Sequence, residues 1–296
     1  MKNALINPLL PTMPKTAVLL IDCPDRKGLV ASIANFLVEQ YDANILNADQ
    51  HQDVELNLFF MRIEFATDLH CDEAHFHSAF TPLAGKFKMN WRLTFATPPQ
   101  NVAIFVSHYL HCLADLLHRH QTGELACNLS LIVSNHEEAR PLADFYKIPF
   151  HCLPVTPATR AQVEKDQLAL LASNSIDVIV LARYMQVLSP TFVRAYPQRI
   201  INVHHSFLPA FTGAKPYHAA FARGVKLIGA TSHYVTEVLD EGPIIEQDVT
   251  RVSQNDHLPD LIQKGRDLER LVLSRAVRWH LNYRILSYAN KTVIFA

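Results

Sequence analysis

The stretch Ile201–His218, INVHHSFLPAFTGAKPYH, starts as an apolar strand and ends in groups for which a core has no use. Extended back to Arg199, the run RIINVHH has the length and β-branched content of a buried strand. Asn202, His204, His205 and Ser206 crowd its end, and each amide, imidazole or hydroxyl there needs a hydrogen-bond partner or water. In α/β proteins ligands sit at the carboxyl edge of a parallel sheet. The question is whether the flanking sequence builds such a sheet.

It does. Upstream, the apolar strand NVAIFVS (101–107) precedes the helical pattern HCLADLLHRHQTG (111–123), and NLSLIVSN (128–135) reads as the next strand. A long helical stretch, RAQVEKDQLALLASNS (160–175), leads to the compact strand IDVIVLA (176–182). A short helix, SPTFVRAYP (189–197), follows, with Ser189 placed to cap it. Downstream, KLIGATSHYVT (226–236) and PIIEQDVTRV (243–252) read as strands. LPDLIQKGRDLERLVLSRAVRWHL (258–281) is a long amphipathic helix, and RILSYANKTVIF (284–295) is a hairpin turning at Asn290-Lys291. Strands alternating with helices predict a Rossmann-like α/β fold, a mostly parallel sheet with helices on both faces.

The first part of the chain has a different rhythm, β-α-β-β-α-β. KTAVLLID (15–22) is a strand, and CPDRKG (23–28) turns into the helix LVASIANFLVEQY (29–41). Two strands cover Ile45–Asp53 and 56–65, a weaker helix runs from Cys71 to Leu83, and FKMNWRLTF (87–95) closes the unit. Pro98 and Pro99 then make a stiff break. The expected organisation is a first domain over 1–96 with its core at 15–95, a linker at 97–100, and a second domain over 101–296.

Composition narrows the function. With 296 residues, 49% of them apolar, and a net charge of −1, the chain has material for two cores and no basic excess to favour nucleic acid or an acidic membrane surface. The opening MKNALINPLLPTMPK is interrupted by Asn3, Pro8 and Pro11 and makes a poor signal peptide, and no stretch has the length of a membrane span. A cytoplasmic location is expected. The five cysteines are odd in number and form no CxxC pair, which argues against a disulfide framework or zinc knuckle. The sixteen histidines lack the carboxylate and spacing pattern of known metal sites, His118 with His120 and His108 with His111 and Cys112 included. No metal and no retained cofactor are expected.

Asn202 and His204 lie two apart, so their side chains leave an extended chain on the same side. Further on, GATSHYVTEVLDEGPII (229–245) places Asp240 in a tight loop ahead of Glu241-Gly242-Pro243. An amide, an imidazole and a carboxylate that converge can stabilise an oxyanion, move protons and orient a nucleophile, the needs of acyl transfer. By spacing alone, Asp240 equally reads as a turn cap.

The segment NVHHSFLPAFTGAKPYHAAFARGVKLIGATSHYVTEVLDEGPIIEQD resembles the signature of the folate-dependent formyltransferase fold, and the resemblance extends over about 101–295. It implies catalytic roles for Asn202, His204 and Asp240, with His233 and Ser206 in support. VLARYMQVLSPTFV resembles the loop of that family that receives the pterin ring, which implies folate contacts from Leu181, Arg183, Tyr184, Met185, Gln186, Val187 and Leu188. Alternatively, the loop packs its Met and Leu side chains into the core. The first segment, including DCPDRKGLVASIANFL, resembles an ACT domain, a regulatory unit that pairs through its sheet, often around a small amino acid. That implies an even-numbered homo-oligomer and a possible amino-acid effector. A ferredoxin-like domain that oligomerises without a ligand remains the other reading.

The acceptor of the formyl group follows from a missing feature. Glycinamide ribonucleotide transferases of this fold carry a glycine-rich turn after their first strand, whose bare N–H groups cradle a phosphate. Here that place reads SHYLHCLADL (107–116), without glycine and with bulky Tyr109 and Leu110. Water is then the remaining acceptor, and the resemblance implies hydrolysis of 10-formyltetrahydrofolate to tetrahydrofolate and formate. The two alternatives are formyl transfer to an amine such as glycinamide ribonucleotide, and a non-catalytic regulator that senses folate.

Overall fold

A computed structural model describes residues 15–67, 72–95, 97–210 and 216–296. The readings placed on 1–14, on Cys71 and Ala96, and on Gly213-Ala214-Lys215 of the quoted motif lie outside the described residues. The chain divides into two compact units, the first running to Pro98 and the second from Pro99 to Ile294.

In the first unit the elements follow the expected order: β1 (Lys15–Pro24), α1 (Leu29–Tyr41), β2 (Asn44–Asp53), β3 (Leu58–Thr67), α2 (Glu73–Phe87) and β4 (Asn90–Phe95). They form a four-stranded antiparallel sheet, β2-β3-β1-β4. Alternate residues of β1, from Ala17 to Cys23, pack with Ile33 and Leu37 of α1 and with Phe76 and Phe80 of α2. Gly28 makes the passage into α1 with φ 90°, a conformation that a side chain would strain. The sequence ends the second helix at Leu83, whereas α2 continues to Phe87. Its buried stripe of Phe76, Phe80, Ala84 and Phe87 keeps helical spacing and carries the helix past Pro82.

The second unit continues with β5 (Asn101–Val106), α3 (His111–Gln121), β6 (Asn128–Ser134), α4 (Arg140–Tyr146), β7 (Phe150–Cys152), α5 (Arg160–Ser173), β8 (Val178–Leu181), α6 (Pro190–Ala195) and β9 (Ile200–His204). It finishes with α7 (Pro216–Arg223), β10 (Leu227–Tyr234), β11 (Ile244–Arg251), α8 (Leu258–Leu281), β12 (Ile285–Tyr288) and β13 (Lys291–Ile294). The seven-stranded sheet has the order β11-β10-β9-β8-β5-β6-β7. β5 to β9 pair in parallel, and β10 and β11 add antiparallel strands at one edge. The central strands bury both faces. Val102, Ile104 and Val106 of β5 pack with α3, α4 and α8, while Ala103 and Phe105 point to the side of α5 and α6.

α4, β7 and α7 are short elements that sequence periodicity does not reveal. The terminal hairpin turns one residue earlier than expected, at Ala289 and Asn290, both with positive φ. That is the geometry that two-residue hairpin loops favour. The order of strands reverses direction between β5 and β8. Their carboxyl ends, with the neighbouring end of β9, therefore open onto the crevice where such sheets hold ligands.

Candidate active site

The antiparallel pairing of β9 with β10 sets Asn202 directly opposite His233. Directly paired residues project to one face, so the two side chains meet, and Asn202 Nδ2 lies 3.1 Å from His233 Nε2. His233 is fully buried, and its Nδ1 donates to the Tyr234 carbonyl at 2.9 Å. The Asn202 amide nitrogen faces the Nε2 of this ring. One N–H of Asn202 is engaged, and the second is available to a substrate oxygen. His204, two residues on, shares that face of the strand, while Val203 between them packs into the core on the other.

Asp240 approaches from the loop that joins β10 to β11. Its Oδ2 lies 3.3 Å from His204 Nδ1, and its Oδ1 3.7 Å from His233 Nε2. It adopts a left-handed backbone, φ 57°, which aspartate tolerates better than most residues. Gly242 makes this loop possible. A Cβ there would stand 1.7 Å from the Tyr234 carbonyl oxygen, against the turn where Tyr234 N–H donates to Pro243 O at 3.0 Å. The His204 ring, and then the His233 ring, hold the Asp240 carboxyl well below the usual carboxylate range, outweighing the upward push of partial burial. Asp240 is thus a carboxylate at any physiological pH. Nε2 of His204 is buried without a hydrogen-bond partner among the described residues, as suits a group whose partner arrives with the substrate.

The loop after β8 forms the facing wall and is braced from behind by other elements. Arg183 takes a left-handed backbone, φ 64°. Ser107, at the end of β5, donates its N–H to Arg183 O (3.2 Å), and its hydroxyl accepts from Met185 N (3.0 Å). That hydroxyl in turn donates to Asn135 Oδ1 at 2.6 Å. Gln167 of α5 donates to the Tyr184 hydroxyl, Glu164 accepts from Ser189 N, and Arg160 donates to Val187 O. Tyr184 also packs edge-on against Phe105, whose burial contributes about 1.5–3 kcal/mol. Ser189 caps α6 as expected, accepting from Phe192 N.

Between the two walls lies a cavity of about 470 Å³, within the range of small-molecule sites. Asn202, His204, His233 and Asp240 line it, and so do Leu181, Arg183, Tyr184, Met185, Gln186, Val187 and Leu188. The structure therefore brings together two groups of residues that the sequence keeps apart. Ser206 is not among the lining residues. Its hydroxyl donates to Ala210 O at 2.8 Å and ties down the loop after β9. His205, noticed at the strand end but given no role from sequence, lines the cavity too; residues missed from sequence include Val235, Thr236, Glu237 and Leu239, which line it, and Ser107, Gln167 and Glu269, which support it. Among the described residues, two groups have metal-ligating side chains in mutual reach, His108 with His136 and Glu138, and His111 with Cys112 and Glu269. Neither includes Asn202, His204, His233 or Asp240.

The model of the formyl transferase family matches residues 100–277, and the chain belongs to that family. Whole-chain similarity places it among the formyltetrahydrofolate deformylases. A protein of that name from Synechocystis sp. is 51% identical over 282 residues, which make up 95% of this chain and 99% of the relative. The crystal structure of a formyltetrahydrofolate deformylase from Pseudomonas syringae pv. tomato matches with a TM-score of 0.91 at 47% identity, covering 97% of this chain and 96% of that one. A glycinamide ribonucleotide transformylase structure from Symbiobacterium toebii is more distant, with a TM-score of 0.64 and 26% identity over 69% of this chain and 98% of its own.

Proposed function

We infer that this protein hydrolyses 10-formyltetrahydrofolate to tetrahydrofolate and formate. The observation that carries the inference is the meeting of Asn202, His204 and Asp240 at one end of a cavity walled by the 181–188 loop, in a chain similar to deformylases from end to end. The flat, hydrogen-bond-rich pterin lies against the backbone of that loop, with Leu181, Met185 and Leu188 as its apolar lining.

Asp240 orients the attacking water. A carboxylate held so low is a weak base, so it accepts the proton only as attack on the formyl carbon makes the water acidic. The second N–H of Asn202, with the His204 imidazolium, stabilises the tetrahedral oxyanion. The bond from carbon to N10 then breaks as N10 takes a proton from His204, and formic acid leaves and ionises to formate. Asp240 then gives the water's proton to solvent and His204 Nε2 takes one up, which closes the cycle, while the 3.3 Å contact with Asp240 keeps the Nδ1 side of the ring oriented. Each step uses only these side chains, with no metal and no bound cofactor. In this reading the folate is the substrate, and the formate released supplies purine synthesis while hydrolysis balances the one-carbon folate pools.

The βαββαβ unit serves as the ACT-type regulatory and oligomerisation domain, pairing into an even-numbered homo-oligomer with a small amino acid as effector. Among the described residues no helix is long and apolar enough to cross a membrane, and the reading places the protein in the cytoplasm. Incubation with 10-formyltetrahydrofolate and no amine acceptor tests the reaction. Stoichiometric formate and tetrahydrofolate support it. Turnover that appears only on adding an amine makes the protein a transferase, and binding without turnover makes it a sensor.

A further inference from the structure

We propose that Glu269, which does not itself line the cavity, is a positioning residue for this reaction, holding Arg183 at the head of the 183–188 loop and, through Tyr217, the ring pair His205–His204. The proposal rests on the hydrolytic reading above. Glu269 stands on the apolar stripe of α8 beside Leu268, Val272 and Leu273, with 1% of its surface exposed. A buried carboxylate is costly unless every oxygen is partnered. Here Oε2 takes His111 Nε2 at 2.7 Å and lies 3.4 Å from Arg183 Nε, while Oε1 accepts from the Tyr217 hydroxyl at 2.7 Å. Burial pushes the Glu269 carboxyl up, but His111, Arg183 and Tyr217 together hold it below its ordinary value, so it remains ionised.

Three elements converge on this one carboxylate: α3, α7 and the loop after β8. The Arg183 guanidinium is held between Glu269 and the Tyr109 ring, 5.4 Å from its centroid. With the side chain fixed there, the left-handed backbone of Arg183 directs the following peptides to the cavity. On the other side, Gly265 lets Tyr217 lie across α8. A Cβ at that position would stand 2.1 Å from the Tyr217 ring. The Tyr217 ring lies 6.2 Å from that of His205, which is 5.1 Å from that of His204. One anion thus links the wall that reads the substrate to the residues that act on it.

The two arms make separable predictions for the full-length enzyme. Glu269→Gln keeps the shape and an acceptor for Tyr217 but removes the charge that holds Arg183. KM for 10-formyltetrahydrofolate should rise about tenfold or more, and kcat should fall less. Tyr217→Phe cuts only the second arm, and should lower kcat severalfold with KM near that of the wild type. In a cycle with Arg183→Gln, the KM effects of Glu269→Gln and Arg183→Gln should be clearly less than additive. Should Glu269→Gln not fold, Glu269→Asp replaces it, since a retracted carboxylate relaxes both arms and should raise KM. Variants that lose thermal stability but keep wild-type KM and kcat would overturn the proposal, because a purely structural role predicts that. If the wild type releases no formate, the hydrolytic reading falls instead. The Arg183 arm is then judged by tetrahydrofolate binding, expected to be about tenfold weaker in Glu269→Gln and overturned by equal affinity.

Discussion

Replacing Asp240 by Asn keeps the volume and polarity of the side chain and removes only its charge, so its consequence can be worked out from geometry. In the wild type the carboxylate lies 3.3 Å from His204 Nδ1. At an effective dielectric near 20, a unit charge pair at that separation interacts by about 5 kcal/mol, which is an upper limit because the carboxylate is partly open to solvent. In the variant His204 loses the anion that keeps it an imidazolium for the oxyanion, and the water loses the carboxylate that orients it and accepts its proton. A loss of about 3–5 kcal/mol corresponds to about two to four powers of ten in kcat. The 181–188 loop has braces of its own from Ser107, Gln167 and Glu164, so KM and tetrahydrofolate affinity should stay within about threefold of the wild type. The assay is steady-state formate release alongside equilibrium binding, with far-ultraviolet circular dichroism to establish folding. A folded Asp240→Asn enzyme turning over within tenfold of the wild type would refute the electrostatic argument and remove Asp240 from the mechanism.

The same variant should change the acid side of the stability curve. Because the folded-state pKa of Asp240 is depressed, its contribution is complete above about pH 5 and fades as pH falls toward the folded value, so wild-type Tm should drop more steeply than that of Asp240→Asn between pH 5 and pH 3. Parallel curves in differential scanning fluorimetry would contradict this. Gly242→Ala puts a methyl group onto the Tyr234 carbonyl and should cost about 1–3 kcal/mol or more of stability, with activity reduced even at temperatures where the variant is folded, as Asp240 is displaced; an unchanged Tm and rate would show that the loop can yield. Activity should survive prolonged treatment with a strong chelator. Loss that a divalent metal restores would require a metal in the reaction.

The strands that build the floor of the site were legible because they are either apolar throughout, as in β8, or marked by polar residues at one end, as in β9. What could not be read was the partner of Asn202. Period-2 alternation reveals β10 but neither its direction nor its register, and only the antiparallel pairing puts His233 opposite Asn202. The left-handed backbone of Arg183 was equally hidden, since nothing in Ala182-Arg183-Tyr184 announces a positive φ. Glu269 did leave a trace. It occupies an apolar-stripe position in the helical pattern of α8, between Leu268 and Val272, where a carboxylate must find partners. Those partners, His111 and Tyr217, lie 158 and 52 residues away, and no local pattern connects them.

Ser107 shows most directly why water is the acceptor. From sequence, the turn after β5 was informative for the glycines it lacks. In the structure that turn is occupied with other work. The Ser107 N–H donates to Arg183 O, its hydroxyl bridges Met185 N to Asn135, and His108 stacks on His136 while its Nδ1 meets Glu138 at 2.8 Å. A phosphate cradle needs successive backbone N–H groups turned outward and free. Here the first of them is spent holding the loop that walls the cavity, and the next side chain is a histidine packed against its neighbours. The hydroxyl chain even fixes the proton pattern beyond it. With Ser107 donating to Asn135 Oδ1, the Asn135 amide nitrogen faces His136 Nε2 at 3.0 Å, which must therefore accept. The turn that could have bound a phosphorylated amine is thus committed to bracing the folate wall. Building a phosphate site here would take more than adding glycines, because a glycine in place of Ser107 removes the hydroxyl that holds Met185, and turning that N–H outward releases Arg183 O.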